Sequence, residues 1–110
     1  MGAQTHGRCA PGFCIAYPMK AEITIEYCPK CGWLLRSAYM AQELLTTFTE
    51  ELDSVRLRPS AVGGRFHILL GDRLLFDRHE AGGFPQIKVL KQLVRDQISP
   101  DKDLGHADKQ

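Results

Sequence analysis

The sequence predicts a two-layer α/β fold of order β-α-β-β-β-α, with two helices mainly on one face of a four-stranded mixed sheet. Apolar and polar residues alternate over 22–27, 54–58 and a hairpin at 65–77, which is the period of half-buried strands. Apolar residues recur at spacings of three and four over 32–52 and 85–98, which is the period of amphipathic helices. The initial strand–helix–strand unit predicts a right-handed crossover between parallel strands, to which the hairpin adds two antiparallel strands.

The first strand and the first helix are predicted to supply one half of the core. Ile23, Ile25 and Tyr27 share one face of the strand at 22–27, because side chains alternate across a strand. The helix at about 32–52 carries an apolar stripe that we expect to face the sheet, formed by Leu34, Ala38, Ala41, Leu45, Phe48 and Leu52.

The second half of the chain completes the sheet and adds the second helix. A strand at about 54–58 leads into a loop bounded by Pro59 and Gly63-Gly64, and the hairpin strands 65–70 and 73–77 meet at a Gly71-Asp72 turn. Pro85 suits the first turn of the last helix. We expect that helix to bury Ile87, Leu90, Val94 and Ile98 and to expose Lys88, Lys91, Arg95 and Asp96.

Polar residues mark the second face of the predicted sheet. They alternate with the apolar residues of the first three strands and are Thr24, Glu26, Arg56, Arg58, Arg65 and His67. A sheet with one apolar and one polar face is covered by helices on one side only. We therefore expect both helices on the apolar face and solvent on the other.

The composition is that of a single small globular domain. The chain has 110 residues, 44% apolar and 25% charged, with a formal net charge of +1. This charge gives no indication of nucleic-acid or anionic-membrane binding, and no apolar run approaches the ~20 residues that span a bilayer. We expect a domain at 19–99 between a disordered N-terminal tail at 1–18 and a polar, disordered tail at 100–110. We see no signal-peptide apolar core and expect a cytoplasmic location.

Cys28-Pro29-Lys30-Cys31 is the motif that carries chemistry, and it lies where the first strand ends and a helix begins. Backbone N–H groups at a helix start carry partial positive charge and favour an ionised sulfur. We predict that Cys28 is exposed and attacks as a thiolate, and that Cys31, buried one turn later, resolves the mixed disulfide. Lys30 adds a cation beside the sulfurs, and Pro29 restricts φ and holds them close.

Two later segments are predicted to reach the same end of the sheet as the cysteines. The loop after Pro59 and the segment Gly82-Gly83-Phe84 both follow strands that point the same way as the first strand. We expect Pro59 to lie against the sulfurs, in either a cis or a trans form. Trp33 is expected to be a partly buried packing residue, with disulfide shielding or partner recognition as the alternative. His67 is expected to be solvated and His79 to lie in the loop after the fourth strand.

The sequence resembles the selenoprotein W/T/H family, also called Rdx proteins, within the thioredoxin-like fold. The resemblance covers about residues 20–98 and is carried by Ile25-Glu26-Tyr27-Cys28-x-x-Cys31, Pro59 followed by Gly63, Gly71, Gly82-Gly83-Phe84 and Leu93-Val94. It implies a thiol oxidoreductase that acts in redox homeostasis or antioxidant defence, with protein thiols or glutathione as partners and no cofactor apart from glutathione as reductant. Animal members often carry selenocysteine where Cys31 stands, and a thiolate is a poorer nucleophile than a selenolate. We expect a monomer or a weak dimer.

Two other classes of function remain open at this stage. Cys9 and Cys14 together with Cys28 and Cys31 supply the four sulfurs of a structural zinc site, although the first pair lies in a glycine- and proline-rich segment. Alternatively, the fold presents Trp33, Phe84 and the open sheet face to a protein partner without catalysis. Metal analysis distinguishes the first, and a Cys28→Ser variant with full biological activity would favour the second.

Overall fold

The computed structural model describes residues 20–105, and its sheet has the predicted topology. The four strands are β1 (Ala21–Tyr27), β2 (Leu52–Pro59), β3 (Phe66–Leu70) and β4 (Arg73–Asp77), and they lie side by side in the order β2-β1-β3-β4. β1 and β2 are parallel, whereas the pairs β1–β3 and β3–β4 are antiparallel. The ends of β1, β2 and β4 therefore lie beside the start of β3 at one end of the sheet.

Two long helices, α1 (Leu34–Thr47) and α3 (Ile87–Ile98), share a hydrophobic core with one face of this sheet. The short helix α2 (Arg78–Ala81) lies between β4 and α3. Leu90 and Val94 of α3 are fully buried, as predicted, and Ile87 and Ile98 pack against them at the margin. The buried apolar residues of β1 and β3 are Ile23, Ile25, Tyr27, Phe66 and Ile68, and Leu52 of β2 is buried as well. The fold is thus a two-layer α/β structure with one open sheet face.

The predicted apolar stripe of the first helix is correct in part. Ala41, Phe48 and Leu52 are buried as expected, but Leu34 and Leu45 are 51% and 42% exposed. The buried residues of α1 that were not predicted are Ser37, Met40 and Leu44. The helix is apolar on more than one side, so spacing alone allows several stripes. It is also shorter than predicted, because the chain turns after Thr47 and Leu52 already belongs to β2.

Several charged residues that were predicted to face solvent form contacts between elements. Lys91 of α3 pairs with Glu43 of α1, Nζ to Oε1 at 2.8 Å. The Arg95 guanidinium donates to the Lys102 carbonyl at 2.9 Å. Lys102 in turn lies 3.3 Å from a Glu51 carboxylate oxygen, and Leu104 packs against the core. The part of the predicted C-terminal tail that is described, up to residue 105, therefore lies against the domain rather than free of it.

The open face of the sheet is polar, as predicted, and several of its charged residues form ion pairs. Glu26 on β1 lies 3.3 Å from Arg58 of β2 and 3.5 Å from Arg65 next to β3. His67, expected to be solvated, has its Nε2 atom 3.5 Å from an Asp77 carboxylate oxygen. These contacts link neighbouring strands on the side that no helix covers.

Between residues 20 and 105, no helix is both long enough and apolar enough to cross a membrane. The predicted N-terminal tail at 1–18, with Cys9 and Cys14, lies outside the described residues. The zinc hypothesis that depends on these two cysteines therefore stays a prediction.

Candidate dithiol site

The motif at the end of β1 folds into a single tight turn. Pro29–Cys31 forms a turn of 3-10 helix, and Cys28 occupies the position just before it. Pro29 takes the first helical position, where its missing N–H costs no hydrogen bond. Gly32 then adopts a left-handed conformation with φ of 75°, which strongly favours glycine, and lets the chain enter α1 separately. Cys28 thus precedes a short turn rather than the long helix that was predicted.

This turn brings the two sulfurs into direct contact. The Cys31 thiol donates to the Cys28 sulfur over an Sγ–Sγ distance of 2.8 Å, and both cysteines are free thiols. A disulfide bond requires about 2.05 Å between the sulfurs. The pair can therefore close into a disulfide with little movement of the backbone.

The exposure of the two cysteines is the reverse of the prediction. Cys28 is only 2% exposed, whereas Cys31 is an exposed residue. Cys28 is covered because the loop after β2 returns over it: the Ser60 N–H donates to the Tyr27 carbonyl at 2.7 Å, and the Gly64 N–H reaches the Cys28 sulfur. The 3-10 turn then directs Cys31 away from the core.

The electrostatics of the pair nevertheless favour a thiolate at Cys28. The Cys31 thiol lowers the pKa of Cys28 by donating to its sulfur, and the backbone N–H groups of Gly64, Cys31 and Lys30 lower it further against the opposing effect of burial. The pKa of Cys31 is raised, first because its proton is held by Cys28 and second because of desolvation. Two sulfurs coupled in this way share one proton over the range between their two ionisations.

Lys30 and Pro59 act differently from the prediction. Lys30 supports the Cys28 thiolate through its backbone N–H, while its side chain is exposed. The cation that acts on the pair is Arg78, whose charge lowers the pKa of Cys31. Pro59 ends β2 opposite Tyr27 with a trans peptide bond, and it is exposed. Gly64 is the residue of this loop that reaches both sulfurs.

Ser60 ties this loop to the sheet and was missed by the sequence analysis. Its hydroxyl accepts from the Val62 N–H at 3.0 Å and hydrogen-bonds to the Glu26 carboxylate. Burial opposes ionisation of Glu26, but the hydrogen bonds from Ser60 and Arg58 and the charges of Arg58 and Arg65 together keep its pKa below the ordinary value. A serine two residues before a loop N–H is a typical turn-forming signal that could have indicated this contact.

An aromatic cluster lies beside the dithiol and joins two of the predicted segments. Trp33, directly before α1, is partly buried and meets Phe84 edge-on at 4.9 Å, and Phe84 meets Phe66 at 5.0 Å. Trp33 therefore serves as the packing residue that was expected. Gly82, with φ of 80°, ends α2, and Gly83 follows it toward Phe84.

The helix α2 itself was not predicted. It begins after Asp77, whose carboxylate accepts from the His79 N–H at 3.3 Å, and it ends at Gly82. Both are ordinary helix-end signals and could have indicated a helical turn here. His79 is thus an exposed residue of α2 rather than a loop residue, and Arg78 at the start of the same helix lies against the aromatic cluster.

Two further features bear on what the site can bind. Among residues 20–105, no cluster of three or more His, Cys, Asp or Glu side chains is arranged to hold a metal ion. A groove of about 390 Å³ lies directly after the dithiol, lined by Gly32, Trp33, Leu35, Arg36 and Tyr39. A wider cavity of about 610 Å³, lined in part by Lys20, Leu70 and Ile98, lies at the other end of the sheet and contains no cysteine.

Known proteins are similar to this chain in both fold and sequence. The profile of the Rdx family matches residues 22–96. A selenoprotein W-related protein from Vibrio cholerae is 52% identical with a TM-score of 0.71, over 74% of this chain and 100% of that one. A protein from Bordetella parapertussis is 51% identical with a TM-score of 0.70, over 73% and 100%. These neighbours confirm the thioredoxin-like fold.

Curated relatives extend the comparison to animals. Migration and invasion enhancer 1 of Mus musculus is 34% identical over 75 residues, which cover 67% of this chain and 62% of the mouse protein. The Bos taurus protein of the same name is 32% identical over the same shares. This chain thus matches less than two thirds of the length of these relatives. The profile match, which covers more than half of the chain, shows that the chain belongs to the Rdx family.

Proposed function

We propose that the protein is a thiol–disulfide oxidoreductase whose redox couple is Cys28 and Cys31. The observation that carries this proposal is the contact of two free sulfurs at 2.8 Å, one of them exposed, with the pKa of the buried sulfur lowered. A structural cysteine pair needs neither a solvent-exposed sulfur nor N–H groups aimed at a thiolate.

The exposed Cys31 is the sulfur that a substrate disulfide can reach first. Exchange requires the attacking sulfur to approach the disulfide directly, and a sulfur that is 2% exposed offers no such approach. Transfer of the shared proton to Cys28 makes Cys31 the thiolate. Because its pKa is raised, this form is less populated but intrinsically more nucleophilic. The attacking role predicted for Cys28 is therefore assigned to Cys31.

The reaction then proceeds in two exchanges. The Cys31 thiolate attacks a substrate disulfide, forms a mixed disulfide and expels the first substrate thiolate, which takes a proton from water. Cys28 then attacks the Cys31 sulfur and closes the Cys28–Cys31 disulfide. The second substrate thiolate leaves and takes up the proton that Cys28 gives up. The substrate gains two electrons and the dithiol loses two. Two thiols of a reductant, for which the family resemblance suggests glutathione, restore the reduced pair.

Single-cysteine variants test this order of events. In a Cys9→Ser, Cys14→Ser background, we expect Cys28→Ser to trap substrate proteins as mixed disulfides on Cys31, because nothing remains to resolve them. Cys31→Ser should trap at least tenfold less, because its remaining sulfur is buried. Peptide mapping by mass spectrometry identifies the modified residue. Trapping mainly on Cys28 would reverse the assignment, and no exchange by the background protein would refute an oxidoreductase.

A non-catalytic interaction module is the second candidate, and one observation favours it. Leu35 and Tyr39 are 81% and 50% exposed on the side of α1 next to the dithiol. Exposed apolar residues in a group often mark a binding surface. If a Cys28→Ser, Cys31→Ser double variant retained full biological activity, this function would replace the redox one.

A further inference from the structure

Two arginines beside the dithiol are held by aromatic rings rather than by carboxylates. The Arg36 guanidinium lies 4.1 Å from the centre of the Phe84 ring, and Arg78 lies 5.1 Å from that ring and 4.8 Å from Trp33. A guanidinium above a ring keeps the N–H groups at its edge available for other partners. The rings therefore orient two cations without neutralising them.

Neither arginine has a carboxylate partner within residues 20–105. Arg58, Arg65, Lys91 and Arg95, in contrast, each form an ion pair there. The Nε atom of Arg78 is even buried without a hydrogen-bond acceptor among the described residues. Since an unpaired cation against apolar surface carries a desolvation cost, an anion from outside the chain would find favourable donors here.

The segments around the dithiol, taken together, carry a net positive charge. Residues 28–42 carry Lys30 and Arg36 but no acidic residue, and 78–84 carry Arg78 against Glu80. The loop 59–66 adds Arg65, which Glu26 neutralises. The whole chain has a net charge of only +1, so positive potential is concentrated at the end of the sheet that holds the sulfurs.

Apolar surface continues from these cations along α1. Leu35 is 81% exposed and Tyr39 is 50% exposed, and both line the 390 Å³ groove together with Arg36. Gly32, the residue after Cys31, lines its near end. A ligand in this groove would contact the Arg36 guanidinium and apolar side chains next to the exposed Cys31. The exposed Leu35 and Tyr39 side chains favour a ligand that carries apolar side chains, such as a polypeptide segment, over the polar tripeptide glutathione.

We propose that the groove beside Cys31 binds a polypeptide segment whose oxidised cysteine is flanked by acidic and apolar residues. Arg36 and Arg78 bind its carboxylates, and Leu35 and Tyr39 contact its apolar side chain. This inference names the substrate class of the proposed dithiol and so rests on the proposed function. Its recognition step does not require electron transfer and can be measured separately.

Binding is measured with peptides that carry serine in place of cysteine. One peptide has aspartates and a leucine beside the serine, and the second replaces the aspartates with lysines. Trp33 is the only tryptophan of the chain and lies in the cluster, so its fluorescence reports the titration. At low salt we expect the acidic peptide to bind about tenfold more tightly, as opposite charges at such a site allow. The difference should shrink when ~0.5 M salt screens the charges.

Matched variants locate the effect. Arg36 is exposed, and Arg36→Gln is expected to reduce the preference for the acidic peptide to less than about threefold. The double variant Arg36→Gln, Arg78→Gln should show no preference. Leu35→Gln should weaken both peptides alike. Arg73→Gln, an exposed change at the opposite end of the sheet, should leave the preference intact. Equal binding of the two peptides, or a preference that survives the double variant, would overturn the inference.

Reduction of the corresponding peptide disulfides separates this inference from the proposed function. The cysteine versions are offered as symmetric disulfides with acidic, neutral or basic flanks, and the released thiols are measured by chromatography. We expect the order acidic, neutral, basic in rate. Equal rates would refute the acidic substrate class and leave the oxidoreductase standing, whereas no reduction of the neutral disulfide would refute the oxidoreductase itself.

Discussion

At the scale of single residues, the chemistry depends on how one proton is divided between two sulfurs. The Cys31 thiol and the Gly64 N–H both donate to the Cys28 sulfur, and the same contact holds the proton on Cys31. Burial gives Cys28 the protected position and exposure gives Cys31 the access. Charge and access are thus placed on different sulfurs, and in the proposed mechanism the exposed Cys31 meets the substrate and the buried Cys28 resolves the mixed disulfide.

The first residue-scale prediction concerns the loss of the Cys31 thiol. Its hydrogen bond is the largest cause of the lowered pKa of Cys28. In a background without Cys9 and Cys14, Cys31→Ala should therefore raise the pKa of Cys28, because burial then opposes ionisation with fewer donors. The ultraviolet absorbance of the thiolate, followed against pH, measures the shift. Cys28→Ala in the same background assigns the signal, and an unchanged Cys28 titration would show that the contact does not stabilise the thiolate.

At the scale of elements, α1 and the loop after β2 decide what surrounds the dithiol. The buried side of α1, centred on Leu44, packs on the sheet and leaves Leu35 and Tyr39 exposed beside the sulfurs. Ser60 fastens the loop to β1, which places the Gly64 N–H over Cys28. The orientation of one helix and the path of one loop therefore produce both the groove and the protected thiolate.

Adjacent leucines of α1 test its orientation directly. Leu44 is fully buried and Leu45 is 42% exposed, although the sequence pattern favoured Leu45 as the core residue. Leu44→Ala should lower the free energy of unfolding by about 2–5 kcal/mol, the usual cost of removing a buried leucine side chain. Leu45→Ala should lower it by less than about 1 kcal/mol. Urea denaturation measures both, and a larger loss for Leu45→Ala would mean that α1 packs by the predicted stripe.

At the scale of the whole molecule, ion pairs link the strands on the open sheet face, and positive charge is concentrated around the sulfurs. Glu26 contacts Arg58 and Arg65 and so links β1, β2 and the start of β3, where its carboxylate is kept ionised by its surroundings. The arginines beside the aromatic cluster have no such acid within the described chain. The paired charges thus contribute to stability, and the arginines without a carboxylate partner form the proposed recognition site.

Stability should depend on pH through Glu26. Its folded pKa lies below the ordinary value, so its contribution is complete above the unfolded pKa of ~4.3 and disappears as the pH falls through the folded pKa. At pH 7, Glu26→Gln should lose about 1 kcal/mol of unfolding free energy, and the difference from the parent protein should shrink below about pH 4. Denaturation at several pH values measures this, with exposed Glu22→Gln as the control. A loss that does not change with pH would contradict it.

Local pattern determined the architecture and the place of the chemistry. Alternation at 22–27 and in the hairpin, the glycine turns and the position of Cys28 and Cys31 between strand and helix are properties of neighbouring residues, and they predicted the succession and the directions of the strands. The pairing of β1 with β3 was known only from the structure. The short helix α2 could also have been predicted from the sequence, because Asp77 and Gly82 are local signals for the start and the end of a helix. Residues close in sequence constrain each other's conformation strongly enough for such predictions.

Only the tertiary structure decided which sulfur is buried, which side of α1 faces the core and which cation lies at the site. Each depends on a contact between residues far apart in the sequence: Gly64 with Cys28, Leu44 with the sheet, and Arg78 with Trp33. Helix α1 has apolar residues on several sides, so its sequence pattern fits more than one orientation against the sheet. The packing of the whole chain decided the orientation of the helix, because the burial of a residue depends on neighbours that it contacts only in the folded protein.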